Sequence, residues 1–270
     1  MCAIKFYNGI EIPPIIMSTN WMDYSTMKEV VSAGLKTGFR AFDDYGNEHI
    51  VGKVLKECLA EQGLKREDIF ITTKIGNGQQ RLGNIAEQIN VSLKNLQTDY
   101  VDCWLMHWPY PNYYIDTYHK MEKVYQSGKV RAIGMANYHV RHFKKLWEAG
   151  FDIAPHCVPM RTADDIIAFC RAHDIVIQAY SPLCRMIDPI KNSPILKAIA
   201  DRTGKSVGQV ILRWHYQHQS VPCFKSINIK RLEENFDIWD FELTGGDMAA
   251  INSMNCDYKY HIESASCPGF

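Results

Sequence analysis

Phe39-Arg40-Ala41-Phe42-Asp43, Ile71-Thr72-Thr73-Lys74 and Trp104-Leu105-Met106-His107 are short, largely apolar runs, each closing on a residue that can carry charge. Runs of this length read as buried strands. An Asp, a Lys and a His at the C-terminal ends of separate buried strands describe one rim of a (β/α)8 barrel. On that face each strand end delivers a side chain to a common centre. Tyr45 lies just past Asp43. A free phenol titrates near ~10, but a neighbouring ammonium favours the phenolate, so a tyrosine beside a lysine is a candidate proton donor.

Working outward from these runs, strands are predicted at 13–17, 39–43, 69–73, 100–106, 130–135, 153–158, 175–180 and 221–224. Amphipathic helices are predicted between them near 24–36, 47–62, 83–96, 115–127, 139–148, 162–173 and 191–203, with Gly34, Gly63 and Gly128 marking helix ends. Strict alternation of strand and helix implies a closed parallel barrel, the α/β TIM-barrel class, rather than an open sheet. Two helical segments, 206–218 and 245–253, stand outside the alternation. The opening residues 4–12, with a central Asn8-Gly9, read as a β-hairpin that closes the barrel bottom. Residues 255–270 are irregular, and Tyr258, Tyr260, His261 and Phe270 suit a loop over the barrel mouth. With no repeat or linker, residues 1–270 read as one domain.

Lys plus Arg and Asp plus Glu number 30 each, so no net field advertises nucleic acid or an anionic membrane. An anionic ligand must then be held by a local cluster. No run approaches the ~18 apolar residues of a membrane span. The nine cysteines form no CxxC pair, and the start shows no signal peptide. Reduced thiols and a cytoplasmic location follow. Nothing in the composition demands assembly beyond a monomer or weak oligomer.

Asp43 is placed to pair with Lys74, and His107, titrating near neutrality, to orient a carbonyl. Acid, tuning cation, anchoring carboxylate and imidazole together suit carbonyl reduction, in which oxygen gains a proton as carbon gains hydride. Side chains donate no hydride, so a nicotinamide cofactor is implied. Each residue alone is more often structural; their joint placement carries the reading. No HxH, HExxH or CxxC spacing suggests a metal. A second cluster, Lys225-Ser226 with Arg231, Glu234 and Asn235, places two cations where a strand gives way to a helix N-terminus, a natural phosphate site in barrels. Tyr180 closes another strand and can stack on a flat heterocycle. No GxGxxG follows a strand, so a Rossmann site is not supported.

These runs together resemble the aldo-keto reductase family. The likeness rests on residues 38–48, on Asp99-Tyr100-Val101-Asp102 leading to Leu105-Met106-His107-Trp108-Pro109, on residues 128–138, and on Lys225-Ser226 with Arg231 and Glu234-Asn235. It covers nearly the whole chain. The resemblance implies reduction of a small aldehyde or ketone with NADPH/NADP+, with Tyr45 as general acid, Lys74 its pKa-lowering partner, Asp43 the anchor of Lys74 and His107 the substrate-orienting residue. It places Asn137 and Tyr180 at the nicotinamide, and Thr19, Ser181 and Leu183 also against the cofactor. Lys225, Ser226 and Arg231 would hold the 2′-phosphate, with Glu234 and Asn235 near the adenine. Trp21, His107 and Trp108 would shape the substrate pocket.

The chain departs from the family pattern in three places. Only Asp44 separates Asp43 from Tyr45, where the family has several more residues. After Val158 an expected Asn-Gln-and-Glu stretch is missing, and Ala136 replaces a Ser or Cys before Asn137. The shortened segments support an alternative reading, a catalytically weakened NADP(H)-binding regulatory or sensor barrel.

Overall fold

The computed structural model describes residues 2–160, 164–255 and Cys267. Two short strands, β1 (Ile4–Lys5) and β2 (Glu11–Ile12), form an antiparallel hairpin. Eight more close a parallel barrel in the order β10-β3-β4-β5-β6-β7-β8-β9. They are β3 (Ile16–Ser18), β4 (Ala41–Asp43), β5 (Phe70–Ile75), β6 (Cys103–Met106), β7 (Ile133–Met135), β8 (Cys157–Met160), β9 (Val176–Tyr180) and β10 (Ser220–Phe224). The barrel expected from the alternation is therefore present, and helices fill the connections between its strands.

Strands buried on both faces need near-continuous apolar sequence, and β6 (Cys103-Trp104-Leu105-Met106) is buried throughout. Beneath the barrel Phe6 and Ile12 pack with Ile16, Ala41, Phe70, Cys103 and Val221, so the hairpin plugs that end. Its turn is wider than a two-residue Asn-Gly loop. Phe6 N–H bonds Ile10 C=O at 2.9 Å and Gly9, at φ 88°, returns its N–H to Phe6 C=O.

Several strands begin later than expected. Residues 100–102 contribute only an isolated bridge, Val101 to Val130. The cause is Asp102, fully buried, whose carboxylate intercepts the Ile71 N–H at 2.9 Å and pairs with Arg66 (2.7 Å) and Arg131 (2.8 Å). A side chain there does the work of a ladder carbonyl. The two helices outside the alternation are Val207–Gln217 and Gly245–Asn252, each opened by a capping box. Helix Asn77–Leu82 was not anticipated from the sequence. Beyond Asn255, only Cys267 of the tail is described; it is buried with its thiol 3.5 Å from the Pro109 carbonyl. The other tail residues, including Tyr258, Tyr260, His261 and Phe270, lie outside the described residues, as does the predicted helix start at 162.

Helix Glu48–Glu61 reaches helix Ile85–Leu96 through Gly52, where a Cβ would stand 2.3 Å from the Asn95 carbonyl oxygen and 2.6 Å from Leu96 backbone. Backbone cannot yield as a side chain does. We expect Gly52→Ala to destabilise the fold by about 2–3 kcal/mol, although alanine favours an isolated helix by about 1 kcal/mol. Urea unfolding checks this, and an unchanged midpoint would rule out the close approach.

Candidate active site

The barrel mouth gathers the charged strand ends into one cleft of about 1260 Å³. Lys74 leaves β5 with its side chain only 8% exposed, and its ammonium bonds Asp43 Oδ1 at 2.5 Å and the Asp44 carbonyl at 3.3 Å. Burial pulls the Lys74 pKa down, but the Asp43 charge and hydrogen bond outweigh it and hold the value raised. The lysine is therefore a fixed cation at the barrel axis end.

His107 follows β6, and its ring centroid lies 4.2 Å from that of Tyr45 in an edge contact. Burial first, and then the Lys74 charge, lower its pKa to about 3. The imidazole is neutral at working pH, able to donate one hydrogen bond and accept another. Tyr45 is partly buried, with its backbone N–H held by Asn20 Oδ1 at 2.7 Å. Its phenol departs from the expectation drawn from the sequence. Among the described residues its hydroxyl makes no hydrogen bond to Lys74, and burial raises its pKa while Lys74 pulls it back down. The cation acts on the phenol through space.

From this centre the cleft runs along the ends of β9 and β10. Asn137, in a left-handed conformation at φ 64°, donates to the His107 carbonyl at 2.9 Å and lines the cleft. Tyr180, Ser181 and Leu183 line it beyond β9, and Lys225, Ser226, Arg231, Glu234 and Asn235 line its far end. Lys225 reaches the Trp21 carbonyl at 3.2 Å, and among the described residues neither Lys225 nor Arg231 pairs with a carboxylate. Trp108 is buried in the wall, while Trp21 stands 88% exposed at the rim with φ 55°.

Thr19 is the predicted cofactor contact that the structure does not bring to the cleft. It is fully buried, and its hydroxyl bonds the Asp43 carbonyl and Asp44 Oδ1, both at 3.2 Å. Ser18 and Asn20 on either side line the cleft instead. Gln178 and Arg185 are among the lining residues that the sequence did not point to. Gln178, buried within an apolar strand, faces the cleft with its amide 3.1 Å from Cys157 Sγ. Arg185 enters from a stretch where Cys184, Arg185 and Met186 all have positive φ.

The donor set fits a dinucleotide. One cleft is lined by a fixed cation, a neutral imidazole, an aromatic ring and two cations that pair with no carboxylate among the described residues. The model of the Aldo/keto reductase family matches residues 16–187 and 188–255. The chain belongs to that family. It is 37% identical to a glyoxal reductase of Bacillus subtilis (strain 168), over 95% of this chain and 94% of that one. It is 31% identical to a methylglyoxal reductase of Yersinia pestis, covering 94% and 92%. Among solved structures, an aldo-keto reductase of Bombyx mori in complex with NADP matches at TM-score 0.91 and 27% identity, covering 98% and 96%. An aldo-keto reductase from a deep-sea metagenome matches at TM-score 0.90 and 32% identity, covering 96% and 97%.

Asp44 lies next to the ion pair in this aldo/keto reductase. Its side chain is fully buried behind the centre, and Oδ2 has no hydrogen-bond partner among the described residues. Burial raises its pKa to about 7 against the pull of Lys74, with Asp43 and Glu48 adding repulsion. The folded chain thus holds a proton between the unfolded value of 3.8 and about 7. That contribution favours folding below 3.8 and is lost as pH rises through about 7. We expect Asp44→Asn to melt higher than wild type near about pH 8 and to lose the advantage towards about pH 4. Melting curves across pH check this; a constant gap would contradict it.

Proposed function

We propose that the chain is an NADPH-dependent reductase of small aldehydes and ketones, α-oxoaldehydes among them, with Tyr45 donating the proton that the carbonyl oxygen gains. The observation that carries this reading is one cleft joining the Lys74–Asp43 pair, His107 and Tyr45 to the cations at Lys225 and Arg231. The α-oxoaldehydes enter because the glyoxal and methylglyoxal reductases are relatives across nearly the full chain.

When bound, NADPH supplies the hydride that reaches the carbonyl carbon. The Tyr45 phenol, ordinarily titrating near 10.0 and raised further by burial against the pull of Lys74, is protonated at neutral pH, so it is a donor rather than a base. Lys74, held charged by Asp43, lowers the cost of the phenolate left behind. His107 is neutral, so it can donate a hydrogen bond to the substrate oxygen without placing a second cation beside Lys74. Asn137, Tyr180, Ser181 and Leu183 would hold the nicotinamide half, and Lys225, Ser226 and Arg231 the 2′-phosphate, with Glu234 and Asn235 near the adenine. Trp21, Trp108 and His107 would border the substrate. Residues 1–270 act in this reading as one domain, a monomer or weak oligomer in the cytoplasm. Balanced charge argues against a nucleic-acid or membrane partner.

A second reading, a nucleotide-binding sensor barrel with weakened catalysis, draws on the missing Tyr45–Lys74 hydrogen bond and the short Asp43–Tyr45 link. NADPH oxidation against a panel of aldehydes, ketones and sugars separates the two, since the sensor binds without turnover. Within the reductase reading, Tyr45→Phe should cut turnover at least about a hundredfold with NADPH affinity retained. Equal turnover in both proteins would remove Tyr45 from its role. Arg231→Ala should weaken NADPH about tenfold to a hundredfold while sparing NADH. Fluorescence titration of both cofactors checks this, and an unchanged affinity ratio would dismiss the phosphate assignment.

A further inference from the structure

Gly76 follows the strand that carries Lys74 and caps helix Asn77–Leu82, with φ −87° and ψ 174°. Any residue adopts that extended backbone, so main-chain conformation makes no demand for glycine here. The demand comes from across the mouth. A Cβ on Gly76 would lie 2.6 Å from the Tyr45 hydroxyl oxygen, 2.9 Å from Gln79 Oε1 and 3.5 Å from Tyr45 Cζ. Residues 74 and 76 are two apart in extended chain, so a side chain at 76 would project from the same face as Lys74. The phenol therefore fills the volume that such a side chain would take, at the edge of the His107 ring.

We infer that Gly76 is a positioning residue for the proton donor: its missing side chain admits the Tyr45 hydroxyl to the catalytic centre. The inference rests on Tyr45 acting as donor, and it follows from the short link to Asp43. With only Asp44 between them, Tyr45 enters the mouth from the same segment as the carboxylate that occupies Lys74. Its hydroxyl is seated against Gly76 rather than hydrogen-bonded to the ammonium. A Cβ at 76 meets two side-chain tips and no backbone, the Tyr45 hydroxyl at 2.6 Å and Gln79 Oε1 at 2.9 Å. The tyrosine, the closer of the two, is what must move most, and the Gln79 contact is the same whether residue 45 is Tyr or Phe.

A double-mutant cycle over Gly76→Ala and Tyr45→Phe tests this, with kcat, NADPH affinity and melting temperature measured for all four proteins. Gly76→Ala should lower kcat at least about tenfold, since misplacing a reacting group by about 1 Å can cost a hundredfold. NADPH affinity should hold, and the basic limb of the kcat–pH profile should move because the phenol has left its site. In the Tyr45→Phe background the oxygen is gone, the nearest phenyl atom stands 3.5 Å from the new methyl, and Gly76→Ala should leave residual turnover unchanged. Alanine is also a poor helix cap, but that penalty is common to both backgrounds and cancels in the cycle. Wild-type kcat in Gly76→Ala, or the same penalty in both backgrounds, would overturn the inference. A wild type without turnover would instead sink the reductase reading. The melting temperatures would still decide the steric claim: a larger loss with the phenol present than without it supports the claim, and equal, additive losses overturn it.

Discussion

The barrel mouth is organised around a single buried cation. An ammonium removed from water is costly unless a partner lies in hydrogen-bonding reach, and Asp43 meets Lys74 at 2.5 Å. Strand register makes the meeting possible. Asp43 sits opposite Thr72 in the β4–β5 ladder, and Lys74 is two residues further along the same strand face. The lysine must fold back over the strand ends to reach the carboxylate, which fixes its charge at the centre of the mouth. That fixed charge acts on its neighbours: it adds to the burial that keeps His107 neutral, and it opposes the burial that raises the Tyr45 phenol. Burial and one ion pair together tune both groups that a carbonyl oxygen would meet.

What was legible in the sequence depended on whether a residue's role is local. Lys74 and His107 close apolar runs, so their place at strand ends follows from pattern alone, and the same holds for Tyr180. Thr19 has the same local signature, but its hydroxyl turns to the Asp43 carbonyl and to Asp44, partners 24 and 25 residues away. No window of sequence contains that choice. Gln178 failed in the opposite direction: a polar residue inside an apolar strand reads as core, and only barrel closure turns it toward the cleft. The late start of β6 had a legible agent, Asp102, whose buried pairing with Arg66 and Arg131 was not foreseeable from spacing.

The same distinction explains the glycines that matter. Gly38 at φ 119° and Gly9 at φ 88° are demanded by backbone conformation; Gly9 stands where the sequence shows a turn, whereas the helix end read at Gly34 lies at Gly38, since Gly34 is buried inside the helix. Gly52 and Gly76 have no such signature. They are demanded by approach, the first by a helix backbone and the second by a phenol. Approach is a property of the folded chain, so these positions read as ordinary until the opposing element is in place.

The short link between Asp43 and Tyr45 ties these observations together. Here the carboxylate and the phenol come from the same few residues, and the side chain between them, Asp44, must go somewhere. It turns away from the cleft and is buried against Thr19, its second oxygen unpartnered among the described residues. An unpaired buried carboxylate is tolerable only if it takes up a proton, and the raised pKa of about 7 says that it does. Here Lys74 acts on Tyr45 through space, and a largely neutralised acid lies behind the site. The ammonium keeps its positive charge at the centre because Asp43 pairs with it, while Asp44 behind the site is held largely uncharged below neutrality.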